Sequence, residues 1–157
     1  MSERELTYYD LPAGERERVL DEIRRRLEEE GDVVFAYAHG GFVERRFFRD
    51  VDVAVWLRDP SRAFYYAVEL SARLEAEVKL PVDLQVLNEA PLPFRFHVFT
   101  RGRLLFSRDE GLRSRLVDET VREYLDFKCF LSLHEQGAAR PCQPERASTP
   151  SPDPSAA

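Results

Sequence analysis

The sequence predicts one α/β domain, a small mixed sheet flanked by helices, and three observations predict it. Four short runs at 33–39, 51–57, 82–87 and 103–107 have the length and the β-branched or aromatic content of strands. Between and around them, apolar residues recur at helical spacing among charges. The chain has 157 residues, 43% hydrophobic and 33% charged, which is enough for one domain with a core and an ordinary globular balance.

The elements follow in order. Over 15–30, Val19, Leu20, Ile23 and Leu27 mark the inner face of an amphipathic helix, with Gly31 placed to end it. VVFAYAH (33–39) reads as a buried strand, and after a loop VDVAVWL (51–57) reads as a second. Asp59-Pro60-Ser61 marks a helix start, with Phe64, Ala67, Val68, Ser71, Leu74 and Val78 as the inner face. Pro81 opens the third strand, VDLQVL (82–87). The stretch 91–102 is expected to be a short helix or turn, and RLLFS (103–107) is the fourth strand. A long helix over 109–133 carries Leu112, Leu116, Val117, Val121, Tyr124, Leu125 and Leu131 on its apolar stripe. Phe127 and Phe130 fall off that stripe, and they suit either packing under a neighbouring segment or contact with a partner. The order is α-β-β-α-β-(α)-β-α with no internal repeat. The domain is expected over 1–136. Residues 137–157 hold five prolines and few apolar groups, a composition expected to stay disordered.

Formal net charge is −6 and the isoelectric point is near 5.2. Broad capture of nucleic acid depends on basic surface, so no direct nucleic-acid binding is expected. A small phosphorylated ligand remains compatible, because a few arginines and a metal ion can reverse the local sign. No apolar run approaches the roughly 20 residues of a membrane helix, and the opening MSERELTYYD lacks the apolar stretch of a signal peptide. Cys129 and Cys142 alone offer no disulfide framework. The expected location is the cytoplasm.

The informative stretch is HGGFVERRFFRDVDVAVWL (39–57). Two glycines follow a buried strand, and eight residues later Asp-Val-Asp opens the next strand. Alternate strand side chains share a face about 6 to 7 Å apart, so Asp50 and Asp52 point together. Two carboxylates at that separation repel by roughly 2 kcal/mol at an effective dielectric near 20. A divalent cation would remove that cost and bind phosphate oxygens as well. Asp83 is second in the third strand and reaches the same cation if the second and third strands are neighbours. Gly40 and Gly41 let backbone amides approach a phosphate. Arg45, Arg46 and Arg49 lie in the intervening loop, suited to steering a triphosphate or to plain solvation. His39 suits either a nucleotide contact or a structural role. His97 and His134 have no zinc-ligand spacing with the cysteines.

These residues resemble the minimal branch of the DNA polymerase β-like nucleotidyltransferase superfamily. That pattern is Gly-Ser, about ten residues, Asp-x-Asp, and a third acidic residue on a following strand. Gly40 and Gly41 look like the Gly-Ser pair, Asp50 and Asp52 like the metal-binding aspartates, and Asp83 like the third. The stretches 82–110 and 122–128 also resemble the antitoxins that accompany HEPN-domain ribonuclease toxins. The resemblance implies a polymerase β-like fold, ATP as substrate and two magnesium ions on Asp50, Asp52 and Asp83. It also implies transfer of AMP to a tyrosine hydroxyl of a HEPN toxin partner. Gly40, Gly41, Arg45 and Arg49 would then hold the nucleotide. Gly41 stands where the pattern has serine, and the gap to Asp50 is eight residues.

Two other readings stay open. The same fold, with an eroded site, neutralises a partner by binding alone. Alternatively, the acceptor is a small molecule, a class that normally carries a second domain for which 157 residues leave little room.

Overall fold

The computed structural model describes residues 7–136. The expected tail over 137–157 lies outside the described residues. Four strands form the central sheet: β2 (Val33–His39), β4 (Val51–Leu57), β5 (Val82–Val86) and β6 (Arg103–Ser107). Their order is β5-β4-β2-β6. Strand β2 lies antiparallel to both β4 and β6, while β4 and β5 run parallel. The sheet is therefore mixed, and the parallel pair is joined by a helical crossover. A second sheet of two short strands, β1 (Tyr9–Asp10) and β3 (Phe47–Phe48), sits beside it.

Both faces of the central sheet are covered. Helix α1 (Ala13–Glu28) and helix α3 (Ser71–Val78) pack on one face, burying Leu20, Ile23, Leu27 and Leu74 against Ala36, Val53, Val55 and Leu84. Helix α4 (Leu92–Arg101) and the first half of α5 (Glu110–Gln136) cover the other. There Phe35, Tyr37, Ala54, Val98 and Phe99 form a second core. Alternation along β2 and β4 thus feeds two cores, and this explains why β2 is buried along its whole length.

Some local expectations change. Helix α1 stops at Glu28, Glu30 N–H closes on Leu27 C=O at 3.1 Å, and Gly31 follows without a left-handed φ. The crossover is not one α-helix. It begins as a 3₁₀ turn (Pro60–Arg62) capped by Asp59 and continues as a π-helix (Tyr65–Leu70) before α3. A π-helix closes i→i+5 bonds, so residues four to five apart stack. The buried line is therefore Tyr66, Leu70, Ser71 and Leu74. Phe64, Ala67 and Val68, expected inside, are exposed, Phe64 and Val68 by 74% and 49%.

Residues 91–102 form a true helix, α4. Asp109 accepts a hydrogen bond from Leu112 N–H at 3.0 Å and caps α5. Arg113 ties the start of α5 to the sheet, donating to the Tyr37 hydroxyl at 2.7 Å. Towards its end Leu125, Phe127, Phe130 and Leu131 are exposed. Among the described residues no helix is long and apolar enough to cross a membrane.

Candidate active site

The site lies where β2, β4 and β5 end side by side. In register, His39 of β2 faces Asp52 of β4, and Asp52 faces Asp83 of β5. The three side chains therefore form a row across the sheet on the face that α4 covers. Backbone bonds hold the row in place: Val51 N–H donates to Pro81 C=O at 2.8 Å, extending the β4–β5 ladder just beyond Asp52 and Asp83. On the outer edge of β5, the Ser71 hydroxyl donates to Val82 C=O at 2.7 Å, and Val82 N–H donates to Glu75 at 3.1 Å. An edge strand tied on both sides has little freedom to slip, so the position of Asp83 is fixed.

Asp50 immediately precedes β4. Burial pushes the Asp52 carboxyl up to about 7, and the charges of Asp50 and Asp83 push the same way, as does a hydrogen bond with Asp50. Two neighbouring carboxyl groups thus act on Asp52, and among the described residues no arginine is set against them there. Arg45 and Arg49 are exposed in the loop. The structure thus sets Asp52 and Asp83 side by side in register with Asp50 just ahead of β4, and leaves Arg45 and Arg49 exposed in the loop.

Gly40 is the N-cap of a short helix, α2 (Gly41–Glu44), and has φ +76°. A Cβ at this position would fall well under 3.0 Å from Asp52 Oδ2. The backbone at Gly40 therefore lies directly against the Asp52 carboxylate, and a side chain there would displace it. Gly41 differs: an added Cβ would meet Phe47 C=O and Phe48 at 3.7 Å, ordinary contact distance.

Two residues that sequence reasoning passed over complete the site. Gln85 bridges His39 and Asp83: His39 Nε2 donates to Gln85 Oε1 at 2.7 Å, and Gln85 Nε2 donates to Asp83 Oδ2 at 2.8 Å. The signal was present, because Gln85 is two residues beyond Asp83 and shares its face. Burial holds the His39 imidazole below its ordinary range, with the Gln85 bond opposing, so the ring is neutral at neutral pH. Arg16 of α1 is the other. It donates to the backbone carbonyls of Leu11, Phe42, Arg45 and Arg46, tying α1 to the glycine–aspartate loop. Its guanidinium also lies over Phe42 and Phe48, 5.5 and 5.0 Å from the ring centroids.

Residues 21–111, more than half of the chain, match the nucleotidyltransferase domain of polymerase β. The chain belongs to the polymerase β nucleotidyltransferase family. The matched stretch contains every glycine and aspartate of the site described above. Among curated proteins nothing matches. Several solved structures share the fold. One is the tri-AMPylated Shewanella oneidensis HEPN toxin in complex with MNT antitoxin, 19% identical over 78% of this chain and 99% of the other, TM-score 0.58. A second is the toxin–antitoxin MntA–HepT, 20% identical over 78% and 99%, TM-score 0.57. A third is the toxin–antitoxin with AMP-PNP, 20% identical over 76% and 98%, TM-score 0.59.

The donor set suits a hard divalent cation, since oxygen ligands and concentrated negative charge are what magnesium selects. The like-charge repulsion at Asp52 is the observation that fits it: a cation placed there would reverse the cost. Among the described residues no three His, Cys, Asp or Glu side chains are already gathered as a metal cage. Repulsion between the carboxylates is a physical reason for that spread.

Proposed function

We propose that this nucleotidyltransferase is an antitoxin that transfers AMP from magnesium-bound ATP to a tyrosine hydroxyl of a HEPN-type toxin. The observation that carries the reading is the in-register pair Asp52–Asp83, with Asp50 acting on Asp52 and the Gly40 backbone against it. Structures with the same fold support the acceptor class, one holding an AMPylated HEPN toxin and another AMP-PNP.

In the reaction the tyrosine oxygen bonds to the α-phosphorus, the bond from that phosphorus to the bridging oxygen breaks, and pyrophosphate leaves with the electron pair. Asp50, Asp52 and Asp83 would hold two magnesium ions, which supply charge neutralisation at the phosphates and at the leaving oxygen. Gly40 and Gly41 let the triphosphate approach the backbone, and Arg45 and Arg49 attract it from the loop. Asp83 is exposed, with Oδ2 engaged by Gln85, which leaves Oδ1 for the cation or the phenolic proton.

The test is transfer of label from α-labelled ATP and magnesium onto a helical HEPN-type partner. Asp50→Asn with Asp52→Asn serves as the comparison. Label on the partner with the native chain and none with the double variant is the expected result. A second reading is favoured by Gly41, which lacks the serine hydroxyl of the family pattern: the chain neutralises its partner by binding alone. Silencing of the partner without any label would select it.

A further inference from the structure

We propose that Gln85 is a positioning residue for nucleotide–metal binding, acting through Asp83, with buried His39 as its anchor. The proposal rests on the reading of Asp50, Asp52 and Asp83 as the metal-binding carboxylates.

Gln85 is opposite Ala54 on β4, and Ala54 is opposite Tyr37 on β2. His39 is two residues further along β2, opposite Asp52. The Gln85 amide therefore crosses the whole width of β4 to reach a residue two strands away. Ala54, the β4 residue in register between β5 and β2 here, has a side chain that ends at Cβ.

The bonds at the two ends of the amide impose one another. A carboxylate only accepts, so the amide must turn its NH₂ towards Asp83 Oδ2, 2.8 Å away. That turns the amide oxygen towards His39 Nε2 at 2.7 Å, and this nitrogen must then carry hydrogen. With the amide reversed, its oxygen would face the carboxylate, a repulsive contact that no tautomer of His39 relieves. The imidazole is itself fixed. It is 5% exposed, and Phe94 of α4 meets it edge to face with centroids 5.4 Å apart.

Asp83, in contrast, is exposed and needs no partner to satisfy solvation. A hydrogen bond to it does little for folding and much for direction. The Gln85 bond fixes which carboxylate oxygen is engaged and the direction of the Asp83 side chain beside Asp52. An anchored amide of this kind is the arrangement by which outer partners orient metal-binding carboxylates, where their loss typically costs about 10- to 100-fold in metal affinity or activity.

The experiment uses the full chain, with manganese-loaded AMP-PNP as the probe and calorimetry as the readout. Gln85→Met keeps length and volume and removes both hydrogen bonds. It is expected to weaken binding about 10-fold while thermal stability in the absence of ligand stays within a few degrees of the native chain. Asp83→Asn weakens binding by itself. Adding Gln85→Met to Asp83→Asn is expected to produce no further loss, because Gln85 acts through the carboxylate that has been removed. Native-level binding by Gln85→Met overturns the positioning role alone. Equal and additive losses in the two single variants overturn it too, since they mark a general packing effect. Absence of binding by the native chain overturns the metal reading and this inference with it.

Discussion

Gly40 and Gly41 are adjacent in sequence and opposite in what they tolerate. At position 40, φ is +76° and a Cβ would collide with Asp52 Oδ2. Gly40→Ala is therefore expected to cost about 1–3 kcal/mol through backbone strain and to displace the carboxylate. The check pairs a denaturation curve with nucleotide binding: both should fall, and a variant with native binding would remove Gly40 from the site. Position 41 has room for a side chain and no left-handed φ. Gly41→Ser should thus fold as well as the native chain and add a hydroxyl where the family pattern has one. The expected outcome is about 3- to 10-fold tighter ATP binding, about what a net 0.5–1.5 kcal/mol hydrogen bond supplies. Unchanged affinity in a titration would mean that the short loop carries position 41 away from the phosphate.

At the scale of elements, the loop from Gly40 to Asp50 is held by an arginine outside it. Arg16 donates to carbonyls of Leu11, Phe42, Arg45 and Arg46 while lying over Phe42 and Phe48. Removing it leaves those carbonyls to find water and uncouples α1 from the loop. Arg16→Met is expected to cost about 1.5–3 kcal/mol, read from urea unfolding, and to speed amide exchange over 41–49. Arg16→Lys should rescue little, since a point charge cannot divide its donors among four carbonyls as a planar fork does. Loss confined to α1, with the loop unchanged, would refute the coupling.

Such a clamp explains what was legible beforehand. The four main strands, α1 and α5 were readable because periods of 2 and 3.6 are local properties of the chain. The Asp52–Asp83 pairing was readable as a condition, that the second and third strands be neighbours, and β4 and β5 are. Strands β1 and β3 have two residues each and no period to detect. The π-helix shifted the buried line from Phe64 and Val68 to Tyr66 and Leu70 because helical reading assumes 3.6 residues per turn. Arg16 and Gln85 act across 26 and 46 residues, beyond any local pattern.

For the molecule as a whole, the site opposes the fold that presents it. The Asp52 carboxyl rises from 3.8 to about 7 on folding, driven first by burial and then by Asp50 and Asp83. A carboxyl with a raised folded-state value takes up a proton on folding. Its favourable contribution is complete below the unfolded value and is lost as pH rises through about 7. Above that pH the folded chain holds a partly buried carboxylate against two others. A shift of this size corresponds to roughly 4 kcal/mol at face value, and screening at a partly solvated site reduces it to about 1–2. Asp52→Asn should therefore stabilise the ligand-free protein at pH 8, raising the melting temperature by roughly 3–6 °C, and the gain should shrink towards pH 4. Magnesium with ATP should stabilise the native chain through the same carboxylates, by an increment that grows with ligand concentration, and should leave Asp52→Asn almost unmoved. The two scans thus separate a functional carboxylate from an incidental one. A surface aspartate would give no gain at pH 8 and no difference in the response to ligand. If Asp52→Asn melts lower than the native chain at pH 8, the carboxylate stabilises the fold, and the opposition between site and fold is wrong.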